Sequence, residues 1–287
     1  MPMTLSVRLF PAVALLGSTL FLSSALAADA PKVSSQQLAP NLYLVKGSGG
    51  NIGALLGQDG ALVVDAQFAA TAPLVKAELQ RLQSGVQVNT LVNTHFHKDH
   101  TDGNAALAGG AKIIAHQAVL SRLQSDAKFN QAGLPTETFS GEKTLQINDQ
   151  QVLLQTMPVS HTDGDLVVWF KAQNVLHMGD LFFADRFPFI DLNSGGSVAG
   201  YINNTKTILG QINDSTKIIP GHGELMDKAG LQRFLAMMEQ TLAEVQAMKA
   251  QGLTADQAVA KGLSAQWKSW SWNFITEEKW IRTLYQA

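Results

Sequence analysis

The 287-residue chain contains no cysteine. That absence excludes a disulfide framework and any thiolate ligand, so a metal here must be held by His, Asp or Glu, and stability must come from core burial and bound ions. A surplus of one charge is lacking too. Lys and Arg number 21 against 23 Asp and Glu, a net of -2, so there is no basic footprint for nucleic acid. Low-complexity tracts, fixed-period repeats and Pro- or Ser-rich linkers are missing, which excludes a solenoid or a string of modules and favours one large domain. The apolar run Leu9 to Leu26 is interrupted by Pro11 and Gly17, unlike the ~20 continuous apolar residues of a membrane anchor. It follows a positively charged leader, Met1 to Arg8, and ends at the small-x-small pattern Ala25-Leu26-Ala27. This is the layout of a cleavable secretory signal. The expected organisation is a signal peptide over residues 1–27 and a single mature domain over 28–287 with C-terminal helices. The expected location is periplasmic or secreted, with no stable membrane insertion after signal removal.

What is present in concentration is histidine. His95-Phe96-His97-Lys98-Asp99-His100 packs three of the seven histidines and one carboxylate into six residues. The preceding Val88 to Thr94 is rich in β-branched residues, so the motif sits where a strand meets a loop. On an extended strand end His95 and His97 point the same way and can grip one ion. A turn after Lys98 carries Asp99 and His100 to a neighbouring position, where an oxygen and a nitrogen could hold a second ion.

The rest of the chain reads as strands, a helix and strands, twice over. Leu42 to Lys46, Asn51 to Leu56 and Ala61 to Asp65 form a meander around Gly47-Ser48-Gly49-Gly50 and Gln58-Asp59-Gly60, turn-forming stretches. Ala70 to Ser84 has helical spacing with Leu74, Ala77, Leu79 and Leu82 on its apolar side, and Gly103 to Leu107 and Gln117 to Gln124 are helices around the strand Lys112 to Ala115. Lys143 to Ile147, Gln151 to Pro158, Asp165 to Lys171, Asn174 to Met178 and Lys217 to Pro220 are strands, with a helix over Ser197 to Leu209. Glu224 to Gln251 is a long amphipathic helix, Thr254 caps another, and the tail carries Trp267, Trp270, Trp272 and Trp280 as a hydrophobic cap over the sheet. Two packed sheets with helices outside are expected, an α+β class. His161, Asp180 and His222, the last in Pro220-Gly221-His222-Gly223, each follow a strand and have glycines nearby.

On these residues the chain resembles the metallo-β-lactamase-fold hydrolases. The resemblance rests on Asp65 at a strand end, His95-x-His97-x-Asp99-His100, His161, Asp180 and His222, in family order. It implies a four-layer αββα sandwich with a dinuclear metal site along one edge of the two sheets. It implies that His95, His97 and His161 bind a first zinc, that Asp99, His100 and His222 bind a second, that Asp180 bridges them and that Asp65 braces the motif from behind. Iron or manganese shares such donors. The implied activity is hydrolysis in which a hydroxide generated on the metals attacks a carbonyl carbon, with Asp99 orienting the nucleophile's proton.

Departures within the family narrow the substrate. Members that open β-lactams commonly have Cys or Ser at position 180, whereas glyoxalase II-like thioesterases and lactonases carry the bridging Asp. Glyoxalase II-like enzymes are intracellular, however, and hold glutathione with basic residues of a C-terminal region, for which no counterpart stands out after His222. Flavodiiron-like relatives have Glu where His97 stands, and persulfide dioxygenases bind a single iron with fewer of these ligands. The expected substrate is a small anionic carbonyl compound, leaning to β-lactam-like cyclic amides. A lactonase or thioesterase of the glyoxalase II type is the alternative, and a non-catalytic metal-binding periplasmic protein the third. His177, three positions before Asp180 on an alternating strand, reads as a core histidine, and His116 as a helix cap or a support behind the metal ligands rather than a ligand. Phe182, Phe183, Phe187 and Phe189 with Arg186 form an aromatic loop just after Asp180 that reads either as core packing or as a substrate-pocket wall. Asn193, Ser194 and Tyr201 are candidates for meeting a substrate carboxylate.

Overall fold

The computed structural model describes residues 1–5 and 32–287. The expected signal segment lies, beyond Leu5, outside the described residues. Pro31–Ala287 is one compact unit. Among the described residues no helix is long and apolar enough to cross a membrane.

The first sheet begins as an antiparallel meander of β1 (Ser34–Ala39), β2 (Leu42–Lys46), β3 (Ile52–Leu55) and β4 (Ala61–Val64). Helix α1 (Ala72–Leu82) then returns the chain to β5 (Val88–Val92). The segments α2 (Lys98–Thr101) and α3 (Asn104–Ala108) lead to β6 (Lys112–His116), and α4 (Gln117–Ser125) leads to β7 (Glu137–Phe139). From β4 to β7 the pairing is parallel, as helical crossovers require. The second sheet holds β8 (Glu142–Ile147), β9 (Gln150–Thr156), β10 (Leu166–Phe170), β11 (Val175–Phe183) and β12 (Lys217–His222), in the spatial order β12-β11-β10-β9-β8. Its only parallel pair, β11 with β12, is joined through α5 (Val198–Gln211). The chain closes with α6 (Lys228–Ala250), α7 (Ala255–Lys261) and α8 (Glu277–Tyr285).

Period-two alternation of apolar residues builds four layers from these parts. Leu62 and Val64 of β4 pack inward with Val168 and Phe170 of β10, between the sheets. Ala61 and Val63 face the other way, onto Val75, Leu79 and Leu107 of the helices on the first sheet. Val167 and Trp169 of β10 face the opposite layer, with Phe234 of α6 and Trp280 of α8. The arrangement is αββα. The Trp280 ring stacks on Phe187 at 5.7 Å and its indole N–H donates to Thr241 Oγ1 at 3.0 Å. Truncating so buried a ring costs about 3–5 kcal/mol.

Several elements differ from their sequence-based expectation. The buried stripe of α1 is Ala72, Val75 and Leu79, an i, i+3, i+7 row, and Leu74 is exposed instead. Helix α6 starts four residues late, because Met226 still pairs with Ile218 and the Asp227 carboxylate accepts from Gly230 N at 2.8 Å. Strand β11 runs five residues past Met178. A register shift at Gly179, which has φ +51°, lets pairing resume beyond it. Strands β1 and β7 are additions, both at edges of the first sheet.

Candidate metal centre

Strands β9, β11 and β12 point the same way, because β10 reverses direction between β9 and β11. Their C-terminal ends therefore share one edge of the second sheet and deliver His161, Asp180 and His222 there. The end of β5 brings the histidine motif to the same place. His97 is the N-cap of the single-turn α2, which turns Asp99 and His100 toward the second set of ligands. His95, His97, His161 and Asp180 form one group able to hold an ion, and Asp99, His100 and His222 another.

Asp180 divides its two oxygens between these groups. Oδ2 lies 3.4 Å from His161 Nε2 and 3.7 Å from His95 Nε2, while Oδ1 lies 3.1 Å from His100 Nε2 and 3.3 Å from His222 Nε2. The groups are tight within themselves: His97 Nδ1 is 2.9 Å from His161 Nε2, and Asp99 Oδ2 is 3.1 Å from His222 Nε2. Glycine makes room for this. A side chain at Gly221 would collide with Asp180 Oδ1, and one at Gly50 with the His100 ring.

Four imidazoles turn one nitrogen inward and have the other engaged from behind. His95 Nδ1 meets Thr94 Oγ1 at 3.0 Å, His97 Nε2 meets Asp191 Oδ2 at 3.0 Å, His100 Nδ1 meets Asp65 Oδ2 at 2.7 Å and His161 Nδ1 meets the Phe189 carbonyl at 2.7 Å. Such outer partners set tautomer and ring angle for a ligand nitrogen. Asp65 serves two rings, since it also accepts from Thr94 Oγ1 and Thr94 N, both at 2.8 Å. On the inner side, His95 Nε2 and Asp180 Oδ1 are buried without a hydrogen-bond partner. Orphaned buried polar atoms are costly, and a cation would satisfy both. The donors present thus fit a metal, and with nitrogen and oxygen alone they suit zinc, iron or manganese.

Electrostatics in the metal-free chain separate the groups. Burial drives His95 well below the ordinary imidazole range and His161 to about 3. Burial acts the same way on His100 and His222, but Asp180 and its neighbours outweigh it, holding His100 well above that range and His222 at about 9. Asp180 is fully buried, which would raise it, yet His100 and His222 hold it well below the carboxylate range.

A cleft of about 430 Å³ opens over Asp99, Asp180 and His222. Its walls include Phe189 and the buried Phe183, which also belongs to the core with Phe182 and Phe187. Trp272 also lines it, apart from Trp267, Trp270 and Trp280, which form part of the core. His177 stays in the core, with Nε2 3.0 Å from the Asn51 carbonyl, and His116 caps α4 by accepting from Ala118 N. Tyr201 is fully buried and donates to the Asp180 carbonyl, so it supports the bulge rather than meeting a substrate. Asn193 and Ser194 lie in a short helix behind Asp191, not in the cleft wall. Sequence reasoning missed Asp191, Phe68, Trp272 and Phe274. None lies in a motif, and folding alone brings them to the site.

Residues 45–222 match the family described as the metallo-beta-lactamase superfamily. A 2,4-dinitroanisole O-demethylase subunit alpha from Nocardioides sp. (strain JS1661) is 30% identical over 176 residues, covering 59% of this chain and 51% of that protein. A hydroxyacylglutathione hydrolase from Polaromonas sp. (strain JS666 / ATCC BAA-500) is 31% identical over 144 residues, 48% of this chain and 49% of that one. The match thus spans about half the length of these relatives. Among solved structures, DIM-1 metallo-beta-lactamase superposes with a TM-score of 0.63 at 18% identity, covering 73% of this chain and 98% of its own. The sec-alkylsulfatase Pisa1 from Pseudomonas sp. does so with a TM-score of 0.70 at 16% identity, covering 88% and 50%. At such identities the likeness is one of fold.

Proposed function

The chain belongs to the metallo-β-lactamase superfamily, and on that premise we propose that it is a dinuclear zinc hydrolase acting on the carbonyl carbon of a small-molecule amide or ester. The observation that carries this reading is the division of Asp180, one oxygen toward each histidine group. His95, His97 and His161 would hold one ion and Asp99, His100 and His222 the other, with Asp180 between. Bound there, two divalent cations supply Lewis acidity and lower the pKa of water to about 7.

The protein's own groups do the rest. Asp99, about a quarter exposed toward the cleft, is placed to accept and orient a proton from the attacking water. Asp65, Thr94 and Asp191 hold the imidazoles in one tautomer, so little reorganisation accompanies reaction. The buried floor excludes bulk water on the protein side, which strengthens each electrostatic contact made there. Substrates in this reading are strained or activated carbonyls, β-lactam-like cyclic amides first, with lactones and activated esters next. The relative named hydroxyacylglutathione hydrolase supports a place for acyl compounds. Export belongs to the same reading, on the strength of the charged leader and the Ala25-Leu26-Ala27 site.

Zinc-loaded protein assayed on a penicillin, a cephalosporin, a carbapenem, an acyl lactone and a glutathione thioester, with His97→Ala as the blank, tests it. Turnover of a β-lactam or lactone above the blank is expected. Turnover of the thioester alone would move the substrate to the glyoxalase II type, and no turnover of any would leave a metal-binding protein without catalysis.

A further inference from the structure

The cleft above the metal floor is poor in charge for a site expected to hold an anion. Apart from the histidines of the metal floor, Lys98 is the one cationic side chain among the described lining residues, and it is engaged with Asp126 at 3.2 Å. Aromatic rings take up the walls. Phe274 is 50% exposed and Phe68 38% exposed at the cleft. Large apolar rings left half in water beside a reactive floor point to an apolar ligand.

Those rings are held in place. Trp272 Nε1 donates to the Phe187 carbonyl at 2.9 Å, and Phe187 N donates to the Trp270 carbonyl at 2.8 Å, so the segment before α8 is strapped to the loop after β11. Phe274 meets Phe189 edge-on at 5.4 Å and Trp272 at 5.6 Å. The Arg186 guanidinium lies 5.1 Å from the Trp272 ring, and Lys279 lies 5.2 Å from Phe274 while donating to its carbonyl at 2.7 Å. Both cations cover ring faces instead of facing a substrate carboxylate. Trp272 and Phe274 also lie past residue 222, beyond the segment that matches the family.

We propose that Phe68, Trp272 and Phe274 form an aromatic clamp that receives a neutral aryl group of the substrate while its scissile carbonyl sits over Asp99 and Asp180. The clamp rests on the hydrolase reading for the position of the carbonyl, but not for the preference for a ring. An aryl group suits it because a further ring can extend the edge-on contacts that Phe274 already makes with Phe189 and Trp272. A volume of about 430 Å³ is at the small end of ligand pockets, enough for one ring and its linkage.

Calorimetric binding separates the two readings. Zinc-loaded protein would be titrated with 4-phenylbutyrate and butyrate, and metal-free protein with 4-phenylbutanol and butanol. The phenyl compound of each pair should bind about tenfold tighter or better, the least expected for burying a ring among aromatic faces. Trp272→Ala with Phe274→Ala should bring the ratio within about twofold of unity, and Trp272→Phe should retain most of it, since a ring remains. A ratio near unity in the parent protein, or an unchanged ratio in the double variant with its thermal transition intact, overturns the clamp. A strong phenyl preference with no turnover of any substrate in the panel above would uphold the clamp and sink the hydrolase reading.

Discussion

The two histidine groups share Asp180 but are charged differently. The first is a nitrogen cage. His95 and His161 are buried and stay neutral in the metal-free chain, and its three imidazoles are fixed from behind by Thr94, Asp191 and the Phe189 carbonyl. The second mixes imidazole with carboxylate. His222 and Asp99 are 19% and 25% exposed, and His100 and His222 hold protons strongly beside Asp99 and Asp180. A proton therefore competes with a cation at the second group and hardly at the first. In the proposed enzyme the first group would retain its ion against protons more readily than the second.

Removing the shared residue should collapse the distinction and have the largest effect. Asp180→Ala is expected to lower turnover on the order of 10³-fold or more and to reduce metal content at both groups. Elemental analysis beside the activity assay checks this, and full metal content in the variant would break the account of a bridge. Next come the supports. Asp65 is wholly buried and anchors Thr94 and His100, so Asp65→Ala should weaken metal binding ~10–100-fold and cost about 3–5 kcal/mol in stability. Asp191 is closer to solvent and holds His97 alone among the histidines. Asp191→Asn should cost ~10-fold in metal affinity and little in unfolding temperature. Equal losses in the two variants would erase the contrast between deep and shallow supports.

The smallest effect is one of pH. Raised folded-state values at His100 and His222 stabilise the metal-free fold at pH below ~6.5, the unfolded value; the His222 contribution is lost as pH rises through about 9, and that of His100 as pH rises through its own raised value. Thermal unfolding of the metal-free protein should therefore drop between about pH 7 and about 9.5. With zinc present the same imidazoles are already deprotonated, and the drop should be shallower. Parallel slopes with and without zinc would mean that the protons do not reside there.

The convergence of the candidate ligands was legible in the sequence because they either sit in one six-residue motif or follow a strand with glycine beside them, features that local chemistry dictates. The sandwich was legible for the same reason, since β4 and β10 alternate their apolar residues between two faces. The walls of the cleft were not. Phe189 and Trp272 are far apart in the chain and reach one cleft because the segment before α8 is strapped to the loop after β11, while Phe68 lines the same cleft from the loop after β4. Trp272 was assigned to the core cap with its neighbours, as nothing in its local pattern separates it from Trp270. Asp191, 94 positions from His97, likewise carries no local sign of its role. Strand β11 outran its expected end because Gly179 bends the strand, where a break had been expected.

Anomalous diffraction from zinc-soaked crystals of the protein tests the central claim most directly. Two peaks ~3.5–4 Å apart are predicted, one ringed by His95, His97 and His161, the other by Asp99, His100 and His222, with Asp180 reaching both. A single peak under saturating zinc, or two peaks of which only one contacts Asp180, would contradict it.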